Sequence, residues 1–480
     1  MKPWYQKAVF YHIYPLGLLG APKTNHEASA ACRFDELLQW IPHIRDLGCT
    51  ALYIGPVFES TGHGYDTRDL HLVDRRLGTN EDFKNFVDQC HQHGIRVAVD
   101  AVFNHTGREF PAFRDIQEKK EASPYKDWYR GVNFGWGSPM GDSFGYEAWQ
   151  GHYELPCLNL QNPAVREYLM DTVKFWIDTF HIDGLRLDCA NVLDFAFMKE
   201  LRSRTASMKE DFWLMGEVIH GEYGRWVNGE MLHSVTNYEL HKALYSGHND
   251  HNYFEIAHNV KRLESVGRAL YTFTDNHDED RIASKLREPD HLFPVYQLLF
   301  TLPGIPSVYY GSEWGIQGAR TRESDEALRP ALSLKDMEQK TGPITDHIAA
   351  LARALGGAVI TPPAPQHTNE LPAATEKLPF PLPVDVSWHT VVDLTGDAEE
   401  TLTAALDSGE TVLALRIASW DDVQALADYQ YMLTKPVCFV CDDTQLLEAA
   451  LRAYQGRALY DGALPEDTLL PLCAKYGLLL

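Results

Sequence analysis

The sequence predicts an α/β protein: a (β/α)₈ barrel with a subdomain inserted after its third strand, then a small C-terminal α/β module. Three observations carry this. From Ala8 to about Gly356, short β-branched and aromatic runs alternate with amphipathic helical stretches, the pattern of parallel βα units. Eight such runs can be counted, enough to close a barrel. A proline-dense stretch then breaks the pattern before a second, shorter series begins.

The strand candidates are AVFYHIY from Ala8, ALYIGPV from Ala51, RVAVDAV from Arg96, GLRLDC from Gly184, FWLMGEV from Phe212, SVTNYE from Ser234, ALYTFTD from Ala269 and PSVYYGS from Pro306. Between them, apolar spacing marks helices: Phe34, Leu37, Leu38, Ile41 and Ile44 share one face, as do Phe83, Phe86, Val87 and Cys90. Residues 1–105 and 161–356 therefore form the barrel. Residues 106–160, rich in Gly, aromatics and acids, are too long for a simple connection and are expected as a small subdomain beside the barrel mouth. Seven prolines between Pro362 and Pro383 favour an extended, semi-rigid linker over residues 357–387. Residues 388–480, with TVLALRI, PVCFVCD, RALYDG and YGLLL, read as an α/β module that ends on a strand. Its role is expected to be structural or interactive.

Composition narrows the function classes. A chain of 480 residues with 45% hydrophobic and 23% charged residues is ordinary for a soluble globular protein. With 67 acidic against 43 basic residues the formal charge is -24, which argues against nucleic acid or an anionic membrane as partner and is neutral toward a sugar. The segment Met1–Pro15 lacks the apolar core of a secretory signal, and no apolar run approaches membrane-spanning length, so a cytoplasmic location is expected. The eight cysteines are scattered through predicted strands and helices, which suits free thiols better than a disulfide scaffold. Cys438 and Cys441 form a CxxC within a predicted strand, where residues three apart point to opposite faces, so they read as structural thiols.

In a barrel of this kind the reactive groups lie at the carboxyl ends of the strands. Four strands end in acids and histidines: DAVFNH (Asp100 to His105), GLRLDCAN (Gly184 to Asn191), GEVIHG (Gly216 to Gly221) and FTDNHDED (Phe273 to Asp280). Neighbouring carboxyl groups at one end of a barrel can divide acid and base work, one ionised and one protonated. Arg186, two residues before Asp188 on the same strand, points to the same side and is positioned to keep Asp188 ionised. Glu217 on the next strand is the natural general acid.

These four runs, in this order, resemble the four ordered sequence regions of the α-amylase family of glycoside hydrolases. The resemblance covers roughly Trp4 to Gly356 and extends to HGYDTRDL near Tyr65, LNLQNPAVREYL after the insert and GIPSVYYGSEWG at the eighth strand. It implies a retaining hydrolase of α-1,4 or α-1,6 glucosidic bonds in maltodextrin-type oligo- or polysaccharides. Asp188 would be the nucleophile, Glu217 the acid/base, and Asp278 the third carboxylate, which binds hydroxyls of the distorted sugar. By the same resemblance His105 and His277 bind sugar hydroxyls, Tyr65 is the platform under the sugar, and Asp100 supports Arg186. Catalysis would need no cofactor. Asn104, together with an acid of the insert such as Asp142, would be a candidate ligand of a structural calcium.

Two departures bear on substrate. Many relatives acting on long starch chains carry Lys-His where this chain has Asn191 and Val192; DCANVLD with GYDTRD is instead similar to the neopullulanase, cyclomaltodextrinase and maltogenic amylase branch. That branch usually carries an additional N-terminal domain, whereas this sequence starts almost on its first strand. Asp66 resembles the acid that α-glucosidases place beyond the terminal sugar, which keeps an exo-acting reading open beside a loop-capping one. A transglycosylase would keep the same carboxylates. A catalytically dead carbohydrate-binding protein would be expected to lack one of them, and all three are present.

Overall fold

The computed structural model describes residues 3–26, 31–322, 324–355, 370–374, 379–383, 390–394, 396–454 and 456–480. The chain divides into two units. One comprises Met1–Asn249 and Glu255–Ile360; the other comprises Thr361–Leu480 together with Asp250–Phe254.

All eight predicted runs of the first unit form strands: β1 (Phe10–Ile13), β2 (Ala51–Ile54), β3 (Arg96–Ala101), β4 (Gly184–Leu187), β5 (Trp213–Gly216), β6 (Ser234–Val235), β7 (Tyr271–Phe273) and β8 (Ile305–Tyr309). They pair in parallel in the order β6-β5-β4-β3-β2-β1-β8-β7. A parallel bridge from Thr236 to Tyr271 joins the two end strands, so the sheet meets itself as a barrel. Register sets side chains from successive strands at common levels. Near the base, Phe10, Trp213 and Tyr271 pack together inside, with ring centroids of Phe10 and Trp213 4.7 Å apart. Nearer the carboxyl ends, Asp100 lies opposite Arg186, and Arg186 opposite Met215.

The outer helices start where the sequence supplies caps. Thr79 and Asp82 form a reciprocal capping box on Asn80–Gln92, Asn162 caps Pro163–Phe180, and Asp194 caps Phe195–Met208. Their apolar faces, including Phe83, Phe86, Val87 and Cys90, are buried against the sheet. The ring of helices departs from eight full βα units. Between β5 and β6 the chain carries only a 3₁₀ turn, Tyr223–Arg225. The insert has its own helix, Pro111–Lys119, and an antiparallel pair, Ala148–Trp149 with His152–Pro156. Its aromatic residues Phe113, Tyr129, Phe144 and Tyr146 are buried together.

Most of the stretch expected as an extended linker lies outside the described residues; the part that is described forms a paired ribbon. Strands β9 (Glu370–Ala374) and β10 (Pro379–Pro383) pair antiparallel. A two-stranded ribbon is all edge, and edges are where prolines fit in a sheet. Ala373 and Leu382 from it are buried against Val412, Ala414, Cys438 and Leu459. The module itself is a parallel sheet of β11 (Val391–Asp393), β12 (Leu413–Arg416), β13 (Val437–Val440) and β14 (Leu459–Asp461), in that order. Cys438 belongs to the core on one face of this sheet and Cys441 to the core on the other, as alternation requires. The expected final strand is reduced to a single bridge between Leu459 and Leu479.

Candidate active site

The barrel ladder runs one residue past β4 and β5: Asp188 N donates to Ala101 O at 3.1 Å, and Glu217 N to Leu187 O at 2.9 Å. Both carboxyl side chains therefore leave adjacent strands at the same level, at the carboxyl end of the barrel. Oxygens of the two carboxyl groups lie within 4.8 Å of one another. That is compatible with the spacing of about 5 Å that a double displacement requires, and short of what an inverting enzyme needs to seat a water.

Arg186 organises the floor. It is 3% exposed, and its guanidinium reaches Asp100 Oδ1 at 2.8 Å, Asp188 Oδ1 at 2.7 Å and Glu217 Oε1 at 2.8 Å. Asp100 also accepts from Tyr53 (2.8 Å) and Tyr65 (3.1 Å). Its approach to β2 depends on Gly55, where a Cβ would lie 2.6 Å from Asp100 Cβ.

The environment separates the acids. Burial pushes the Glu217 carboxyl above the usual range, and the charges of Asp188 and Asp278 add to this, while Arg186 opposes it. Asp278 goes the other way. Burial would raise it, but His277 Nε2 at 3.0 Å and Arg329 Nη2 at 2.8 Å hold it well below the carboxylate range. Burial lowers His105, leaving a neutral imidazole suited to donating one hydrogen bond. Its Nε2 has no hydrogen-bond partner among the described residues. Tyr65 stacks on His277 at 5.6 Å, with its hydroxyl 2.5 Å from His277 Nε2.

A cleft of about 580 Å³ opens over this floor, lined by Tyr65, Asn104, His105, Asp188, Glu217 and Asp278. Trp149, Leu155 and Cys157 of the insert complete one wall, so the insert lies beside the mouth. Val192 and Ile219, 49% and 42% exposed, present apolar surface to the same cleft. Asp66, singled out in sequence, turns elsewhere. Its carboxylate accepts from Gly64 N at 3.2 Å and is absent from the cleft lining, the geometry of a loop cap.

Three further residues belong to the site. Arg329 grips both Asp278 and the carbonyl of His277 from an irregular segment after β8. Tyr238 donates to Glu217 Oε1 at 3.3 Å and accepts from Asn276 at 3.1 Å. Cys189, left-handed at φ 50°, donates its backbone N–H to Glu217 Oε2 at 3.1 Å and its thiol to Asp188 Oδ2 at 3.2 Å. Burial and both carboxylates push that thiol up. Only Tyr238 could have been suspected, from the polar end of the run SVTNYE.

The ligand set expected for calcium does not converge. The Asp142 carboxylate is taken up by Arg108, Ser138 and Gln117. The Asn104 side-chain amide is directed to His105 and Cys157, and the cation Arg130 lines the cavity beside it. Asp142 is therefore not available to share a calcium ion with Asn104.

A barrel that gathers an arginine-clamped carboxyl pair and a third carboxylate at its strand ends has the architecture of a glycoside hydrolase. The sequence profile of the alpha-amylase catalytic domain matches residues 33–347. The chain belongs to the α-amylase family. It is 31% identical over 343 residues to the maltogenic alpha-amylase of Bacillus acidopullulyticus, covering 66% of this chain and 58% of that protein. It is 32% identical over 366 residues to neopullulanase 2 of Thermoactinomyces vulgaris, covering 71% and 61%. Among solved structures, the cyclic alpha-maltosyl-(1→6)-maltose hydrolase of Arthrobacter globiformis, in complex with that cyclic sugar, superposes with a TM-score of 0.64 at 28% identity. The match covers 73% of this chain and 82% of the other. The chain spans about three fifths of the length of the curated relatives it matches first.

Proposed function

We propose that the protein is a retaining α-glucan hydrolase acting on maltodextrin-type substrates, with α-1,4 bonds cleaved and α-1,6 bonds as a further option. The observation that carries this is the Asp188–Glu217 pair, with oxygens within 4.8 Å and one shared guanidinium. Arg186 occupies Asp188 Oδ1, so Oδ2 attacks the anomeric carbon. The leaving oxygen takes the proton of Glu217, whose raised pKa keeps it protonated. Glu217 then removes a proton from the water that displaces Asp188 from the sugar. Asp278 and the imidazoles of His105 and His277 hold ring hydroxyls, and Tyr65 supports the ring. Similarity to the maltogenic amylase and the neopullulanase supports the substrate class.

The test is a pair of variants. Glu217→Gln reduces turnover of maltooligosaccharides by ~10²–10⁴-fold, the usual worth of a positioned proton transfer. With an aryl glucoside, which needs little protonation, it still forms an adduct on Asp188 and accumulates it. Asp188→Asn forms no adduct with either substrate. An adduct on Asp278, or undiminished turnover in either variant, overturns the assignment. Absence of turnover and of any adduct in the wild-type protein would instead favour the alternative of an inactive carbohydrate-binding protein.

Transglycosylation is favoured as a second activity by the exposed apolar side chains of Val192 and Ile219 on the cleft wall, which suit an acceptor sugar better than bulk water. Chromatography of products from maltotriose, β-cyclodextrin and pullulan distinguishes it: products longer than the substrate mark transfer. A cytoplasmic location accompanies this reading, because all eight cysteines are free. No helix of the described residues is long and apolar enough to cross a membrane.

A further inference from the structure

We propose that Asp188, Cys189 and Glu217 form a binding site for a thiophilic divalent cation, Zn²⁺ above all, and that its occupancy closes the active site reversibly. The site stands on geometry alone; the inhibition also rests on the roles proposed for Asp188 and Glu217.

The argument begins with how Arg186 divides the carboxyl oxygens. It takes Asp188 Oδ1 and Glu217 Oε1, leaving Asp188 Oδ2 and Glu217 Oε2 on the side of Cys189. The Cys189 sulfur lies 3.2 Å from Asp188 Oδ2, and one ligand atom from each of the three residues falls within 4.8 Å of the other two. Zinc binds thiolate at about 2.3 Å and carboxylate at about 2.0–2.2 Å, so tetrahedral ligands stand roughly 3.5 Å from one another. Small side-chain adjustments therefore bring the trio onto one ion.

A second, independent feature points the same way. His105 is 2% exposed, lines the same cleft as Asp188 and Cys189, and has an Nε2 with no hydrogen-bond partner among the described residues. A neutral imidazole is a preferred zinc ligand, and this one lines the cleft beside the trio as a nitrogen that a bound cation could recruit. On binding, the cation takes the place of the thiol proton and of the carboxyl proton of Glu217, both of which are released to solvent. A bound cation withdraws Asp188 Oδ2 from attack and Glu217 from proton transfer, so substrate and metal exclude one another.

Cadmium serves as the spectroscopic probe, through its thiolate charge-transfer absorption in the ultraviolet, and zinc as the inhibitor. Both are used on the full chain with exposed Cys32 changed to Ser. We expect zinc to inhibit hydrolysis, chelator to restore it and maltotriose to protect. Loss even of a group that merely supports a metal ligand costs ~10–100-fold in affinity. Cys189→Ala should therefore raise the zinc concentration for half-inhibition at least tenfold, each protein being compared with its own metal-free rate, and should abolish the cadmium absorption. Cys189→Ser, with a weaker oxygen ligand, should fall between and keeps the test open if the alanine variant fails to fold. Equal zinc sensitivity and equal cadmium absorption in wild type and variants would overturn the site. A Cys189-dependent absorption without inhibition would leave the site standing and overturn the roles given to the two carboxyl groups.

Discussion

Arg186 donates to Asp188 at 2.7 Å from two positions earlier in the chain, so the guanidinium and the carboxylate it holds are fixed by one stretch of backbone. The same guanidinium also serves Asp100 and Glu217.

Replacing Arg186 by Ala should leave three buried carboxyl groups without their cation. Removing one partner of a buried ion pair costs about 3–5 kcal/mol. Arg186→Lys, a single ammonium in place of a planar fork, should recover part of the stability and little of the activity. Chemical denaturation and steady-state rates on the two variants check this. Full activity in the lysine variant would show that the forked geometry is dispensable.

The pH profile should carry the signature of Glu217. Its folded pKa is raised, chiefly by burial, and the proposed mechanism uses its protonated form. Turnover of maltooligosaccharides should therefore decline as pH rises through that raised value, giving the alkaline limb of the profile. Glu217→Gln should show low residual activity without that limb. Persistence of the limb in the variant would assign it to another group.

Stability in acid should depend on Asp183, at the opposite end of the barrel. Although burial would raise it, His91 (2.7 Å), Lys209 (2.8 Å) and Val97 N (2.9 Å) hold its carboxyl well below the usual range. A depressed folded pKa contributes stability that is present above the unfolded value of about 3.9 and is lost as pH falls toward the folded one. Asp183→Asn should cost about 3 kcal/mol near neutrality. The melting-temperature gap from wild type should shrink below about pH 4. A gap independent of pH would mean that the carboxylate charge contributes nothing.

We further propose that the C-terminal module takes no part in the chemistry, because every residue placed at the site precedes Gly356. Ending the chain near Pro362 should leave a folded enzyme with turnover within about twofold of the full chain. A folded but inactive truncation would assign the module a catalytic role.

The barrel strands could be read from sequence because β-branched and aromatic runs are local signals, and the residues at their ends inherit positions from the strands. Asp100, Arg186, Asp188 and Glu217 were accessible in this way. Arg329 was not: it meets Asp278 across 51 positions, from a segment without periodicity. Asp66 shows the converse, a motif residue whose side chain serves its own loop. The ribbon of β9 and β10 was hidden because prolines weaken a strand reading everywhere except at edges. The bare connection between β5 and β6 was hidden because β6 is only two residues long.

That connection sets where the molecule can change. The segment from Ile219 to Glu222, with the stretch from Asn228 to Glu230, is exposed and leads directly from Glu217. Here an insertion would meet solvent, held at its base by buried Tyr223, Trp226 and Leu232. New binding surface for the departing half of a sugar chain could be grafted at this point while the barrel staves, and the register that aligns the two acids, stay as they are.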